Sequence, residues 1–187
     1  MTLDALGRCL EDALREVAPA IPPSGILARA ARDILAMAES YCRDGDHFIR
    51  TGDCVNGLAS FAYGHGWLDC GVRIGLVRAA PPHTGTVTIP DRLPSRETDR
   101  LVEKSARYER MLGAALAAVG ETAPPGTPAR AAGDAAYRVA AHCLCRARAV
   151  HPATHALAVL SYGYGWLDCA VRIGALSAGN QRDLFCI

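Results

Sequence analysis

Tyr63-Gly64-His65-Gly66-Trp67-Leu68-Asp69-Cys70-Gly71-Val72-Arg73-Ile74-Gly75 recurs as Tyr162-Gly163-Tyr164-Gly165-Trp166-Leu167-Asp168-Cys169-Ala170-Val171-Arg172-Ile173-Gly174, with changes only at His65/Tyr164 and Gly71/Ala170. A match of that length between two places in one chain marks an internal duplication, and the repeated unit then decides the architecture. Working upstream, Ala28-Arg29-Ala30-Ala31 with Asp33 answers Ala129-Arg130-Ala131-Ala132 with Asp134. Earlier still, Leu10, Leu14, Val17 and Pro22-Pro23 answer Leu112, Leu116, Val119 and Pro124-Pro125. Downstream, Thr86-Val87-Thr88-Ile89 and Leu184-Phe185-Cys186-Ile187 share an alternating pattern.

Local signals turn each copy into helix, proline turn, helix, turn, helix and a short extended tail. Leu6, Leu10, Leu14 and Val17 recur at helical spacing until Pro19 and Pro22-Pro23 stop the helix. Ser24 is placed to cap a second helix with the apolar face Leu27, Ala31, Ile34, Leu35, Ala38, Tyr41, Cys42, Phe48 and Ile49. Gly52 closes that helix and Asp53 caps the third. In the second copy Gly120 closes the first helix, while Pro128 and Pro152 stand at the first positions of the next two. Residues 78–94, with Pro81, Pro82, Pro90 and Pro94, read as a linker whose ordered piece is a strand at 86–89.

The expectation is an all-α protein: a three-helix module at 1–77, the linker, and a second module at 95–187 that carries a C-terminal extended tail. A module of this size gains only about 3 to 5 kcal/mol from its own core. The two copies are therefore expected to pack together as a pseudo-two-fold bundle through their glycine-bearing third helices. Gly71 and Gly75, like Ala170 and Gly174, have the four-residue spacing at which two helices cross closely.

Composition narrows the function. Twenty Lys and Arg against nineteen Asp and Glu give a net charge of +1, without the basic footprint of a nucleic-acid binder. The spacing of Arg146 and His151 resembles that of the higher-eukaryote and prokaryote nucleotide-binding helical ribonucleases, which ranks an RNA-directed role third; the first copy has no such pair. No charge-free apolar stretch reaches the roughly 18 residues that span a bilayer, and no leader is evident, so a cytoplasmic protein is expected. The eight cysteines lack CxxC spacing, and Cys70/Cys169 and Cys42/Cys143 read as small core residues, with no metal and no cofactor expected.

Asp69 with Arg73 and Asp168 with Arg172 stand at the i, i+4 spacing of helical ion pairs. With Tyr63, Trp67, Tyr162 and Trp166 they are candidates for a ligand-binding cleft between the copies. No catalytic residue is assigned, because no acid–base or nucleophile–histidine pair is present in both copies. The favoured role is a scaffold or adaptor that binds another protein or itself; a small-ligand protein or an enzyme using the cleft is the alternative.

The repeated segment, with Gly52-Asp53-Cys54-Val55-Asn56-Gly57 ahead of its first occurrence, resembles the archaeal Domain of Unknown Function 357 proteins. Their members carry Tyr-Ala-His-Gly-Trp-Leu-Asp-Ala-Gly-Val-Arg-Leu-Gly. The second copy resembles them strongly from about Ala156 onward, after His151-Pro152 replaces the Gly-Asp turn. The resemblance implies an archaeal, cytoplasmic helical protein, here a fused version of what is otherwise a single-copy chain. Cys70 and Cys169 stand where the family has alanine.

Overall fold

A computed structural model describes residues 3–79, 92–150 and 152–186. The first module runs α1 (Leu3–Arg15), β1 (Val17–Pro19), α2 (Ala28–Arg50), α3 (Cys54–Arg73) and β2 (Val77–Ala79). The second runs α4 (Thr98–Ala118), β3 (Gly120–Glu121), α5 (Pro128–Ala149), α6 (Ala153–Arg172) and β4 (Leu176–Ser177). Single 3-10 turns stand at Ser95–Glu97 and Arg182–Leu184. The chain is an all-α protein of two repeated modules, with two short strand pairs among the described residues. The strand expected at 86–89 lies outside the described residues.

Helix α3 is apolar on almost every side, which is the pattern of a helix buried all round. It packs against α2 and across the module boundary against α6, while α6 is sandwiched in the same way between α5 and α3. Leu10, Ile34 and Trp67 of one module and Leu112, Leu157 and Leu167 of the other fall in one continuous core. The third helices therefore form the central layer, as the apolar composition of the repeat implies.

The crossing itself is not where the glycine spacing placed it. A Cβ on Gly66 would collide with the carbonyl oxygen of Tyr162, and one on Gly165 with that of Tyr63. Backbone meets backbone at this equivalent pair, so the pseudo-two-fold axis passes between them. Gly71 instead admits α2 of its own module, since a Cβ there would lie 2.7 Å from Ile34 Cγ2. Gly75 faces open space and serves the backbone: its φ of +79° ends α3 in a left-handed turn. Leu76 N–H bonds the Gly71 carbonyl and Gly75 N–H that of Val72, which satisfies two carbonyls left over at the helix end. Gly174, Ala175, Ala170 and Val171 repeat this turn.

That turn aims the chain back along the module. In the first copy β2 pairs antiparallel with β1, with Val17 opposite Ala79; in the second, β4 pairs with β3, with Gly120 opposite Ser177. Val17 thus belongs to a strand and not to α1, and Arg78 and Ala79, read as linker, belong to its partner. Gly120 likewise sits in β3, and α4 ends on an extended Val119. Asp53 caps α3 by accepting from Asn56 N–H at 3.0 Å, and Thr127 caps α5 ahead of Pro128. Ser24 does not cap α2, which starts from Leu27, and Pro152 is the residue before α6, not its first.

The flanking helices hold a further departure. A Cβ on Gly64 would meet Tyr41 and the Ala38 carbonyl, whereas one on the equivalent Gly163 would meet Cys143 and Ala140. By packing, Cys143 answers Tyr41 and Ala140 answers Ala38, so α5 sits one residue out of step with the Ala-Arg-Ala-Ala alignment. Cys42 and Cys143 are both buried but are not equivalent.

Candidate functional site

The repeated Tyr and Asp residues form a reciprocal clasp over the crossing. Tyr63 donates its hydroxyl to Asp168, and Tyr162 donates to Asp69 at 2.8 Å. Asp168 is fully buried and also accepts the Cys186 backbone N–H at 3.1 Å. Burial lifts its pKa above the ordinary carboxylate range, while the bonds from Tyr63 and Cys186 and the more distant Arg172 pull the other way. Of the i, i+4 pair, Asp168 is thus a buried acceptor, and Arg172 reaches across to Asp33 on α2 at 3.3 Å. Trp67 is fully buried and Trp166 is 5% exposed.

Two grooves flank this clasp, one on each side of the pseudo-axis. The first-module groove, about 330 Å³, is bounded by Tyr41 of α2, Ala59, Ser60 and Tyr63 of α3, and Tyr164 of α6. Other parts of the chain line it as well: Lys104, Tyr108 and Met111 of α4, and the tail Asp183, Leu184, Phe185 and Cys186. Tyr164 donates to the Leu184 carbonyl at 2.6 Å, Phe185 is 7% exposed, and Tyr41 Oη lies 3.4 Å from Cys186 Sγ. The tail therefore turns once at Arg182–Leu184 and is seated by main-chain bonds and one buried aromatic ring.

The second-module groove is about twice as large, about 650 Å³, and is bounded by α3, α5 and α6. Its walls hold the counterparts of the residues just named: Cys143 for Tyr41, Ala158 and Val159 for Ala59 and Ser60, Tyr162 for Tyr63, and His65 for Tyr164. Among the described residues, none from the tail and none from a first helix lines it. Arg73, Arg138, Arg146, His65 and His142 line it beside Tyr162 and Trp166, and no Asp or Glu is among its described lining residues. Ala135 stands opposite Arg73 where Asp33 stands opposite Arg172, and the counterparts of Arg138 and Arg146 in α2 are Ala36 and Asp44. The arginines thus belong to one groove.

Of the eight residues singled out from the sequence, Tyr162, Trp166 and Arg73 meet in this groove and Tyr63 lines the first-module one. Trp67 is sealed in the core, and Asp69, Asp168 and Arg172 brace the two modules. Sequence reasoning misses Arg138 and His142 and takes up Arg146 only for its spacing to His151, although the spacing of four places all three on one face of α5. His151, the residue paired with Arg146 on spacing, lies outside the described residues. Burial pushes the Cys143 thiol up to about 11 against the opposing charge of Arg146. Tyr162 is raised well above the usual phenol range, first by burial and then by Asp69.

A family model described as "Protein of unknown function (DUF357)" matches residues 7–77 and again residues 107–176. The chain belongs to the DUF357 family. The second DUF357 match starts well ahead of Ala156, so α4 and α5 are as much part of the family unit as the repeated segment. The comparisons with curated proteins and with solved structures return no match. Each DUF357 unit ends at the strand after its third helix, at residues 77 and 176, so the tail that lines the first-module groove lies beyond the matched unit. Among the described residues no group of three or more His, Cys, Asp and Glu is arranged to hold a metal, and no helix is long and apolar enough to cross a membrane.

Proposed function

We propose that this tandem DUF357 protein is a non-enzymatic binding module that holds an anionic ligand in the open groove of its second module. One observation supports the reading above all: three arginines and two histidines line a cavity of about 650 Å³ with no carboxylate among its described lining residues. That volume falls in the range of about 300 to 1,000 Å³ typical of ligand sites. Guanidinium groups present planar donor pairs that match a carboxylate or phosphate, and Tyr162 and Trp166 supply aromatic surface next to them.

The groove is better furnished for binding than for bond-breaking. A Cys143 thiol raised to about 11 is protonated at neutral pH and is a poor nucleophile, and the Tyr162 hydroxyl is committed to Asp69.

The test is thermal unfolding of the full chain with increasing pyrophosphate at low salt. A ligand held only by the folded state raises the unfolding midpoint with concentration. The wild-type midpoint is expected to rise and the Arg138→Gln/Arg146→Gln double variant to stay flat. No rise in the wild type, or an equal rise in both, contradicts the proposal.

A further inference from the structure

Of the twenty Lys and Arg in the chain, nineteen are arginine, and Lys104 is the sole lysine. It stands on α4 and is only 8% exposed. Its amine donates to the Asn56 side-chain carbonyl and lies 5.0 Å from the centre of the Tyr108 ring. We infer that Lys104 is a covalent attachment site for a small aldehyde or ketone, which it captures as an imine in the first-module groove. The inference goes beyond the anion-binding reading and concerns the other groove.

A purely structural cation at this place would be better served by arginine, which donates more hydrogen bonds, stacks more readily on aromatic rings and supplies every other such charge in the chain. What arginine lacks is an amine that gives up its proton and acts as a nucleophile. Burial first, and then Arg107, lower the Lys104 pKa from its ordinary value, against the pull of Asp53. The amine lines the groove of about 330 Å³ beside Asn56, Ser60, Tyr63, Tyr108 and Tyr164. Asp168 and the Leu184 carbonyl take up the Tyr63 and Tyr164 hydroxyls, so these two residues offer a ligand the surface of their rings, which stack at 6.0 Å. The volume lies at the lower end of the range of about 300 to 1,000 Å³ for ligand sites, and it fits a small carbonyl compound with an apolar or aromatic body. In the reaction the neutral amine attacks the carbonyl carbon and a C–N bond forms. The carbonyl oxygen then leaves as water with both amine protons, the C=N bond remains, and no oxidant or reductant is consumed.

The experiment is reductive trapping of benzaldehyde by cyanoborohydride on the full chain, native and unfolded in guanidinium chloride, with the benzylated residue located by peptide mass mapping. Native Lys104 is expected to be labelled about tenfold faster or more than unfolded Lys104, with a rate that saturates as benzaldehyde is raised. Without reductant, benzaldehyde is expected to raise the thermal unfolding midpoint of the wild type and not that of Lys104→Arg, which keeps the charge and forms no imine. Native labelling no faster than unfolded labelling, or a native rate that climbs linearly without saturation, overturns the inference, and does so even where Lys104→Arg fails to fold. Equal stabilisation of the wild type and Lys104→Arg overturns it as well. Arg138→Gln/Arg146→Gln, which removes the anion site, is expected to leave the labelling of Lys104 unchanged, so the two readings stand or fall separately.

Discussion

Tyr63 and Asp168 lie in different copies of the repeat, yet the hydroxyl of one is bonded to the fully buried carboxylate of the other. The exchange is matched by Tyr162 and Asp69, so each module lends its tyrosine to the other's acid. The two bonds differ in setting. Asp69 is half-buried, while Asp168 is sealed beneath the C-terminal tail and takes the Cys186 N–H as well.

The raised pKa of Asp168 sets a pH dependence. Its folded-state value lies above the ordinary carboxylate value of 3.8, so between the two the folded chain binds the proton that the unfolded chain has released. Stability from this group therefore increases as pH falls through the raised value and levels off below 3.8. Denaturant unfolding of the wild type and Asp168→Asn at pH 7, 5.5 and 4 measures it. The wild type is expected to gain on the variant as pH falls, and a constant difference would contradict the assignment.

The helix crossing gives a second prediction. Gly66→Ala and Gly165→Ala each drive a methyl into backbone that has no side-chain freedom to give, and each is expected to destabilise by about 3 kcal/mol, the upper end of ordinary overpacking. Gly75→Ala meets no atom within 4 Å and bears only the strain of its positive φ, about 1 to 2 kcal/mol. Chemical denaturation of the three variants should rank them in that order. A Gly66→Ala protein as stable as the wild type would place the crossing elsewhere.

The duplication and the central layer were legible because the repeated segment is nearly identical and apolar on all faces. The crossing point was not, since Gly66 and Gly71 look alike in sequence and only the neighbouring helix tells which is approached by backbone. The slip of α5 was equally hidden: α2 and α5 are both rich in alanine, so alignments one residue apart each place alanine on alanine. The groove was half legible. Tyr162, Trp166 and Arg73 lie in the repeat, but the asymmetry between the grooves comes from a tail that returns to the first module, a contact between residues more than a hundred apart, such as Tyr41 and Cys186.

The central claim is that two duplicated modules present one anion-binding groove, because the arginines line the second-module groove alone while the chain's own tail narrows the other. Isothermal titration calorimetry of the full chain with pyrophosphate at low salt tests it through stoichiometry. The account predicts one site per chain, lost in Arg138→Gln/Arg146→Gln. Two equivalent sites per chain, or a single site that survives that double substitution, would contradict it.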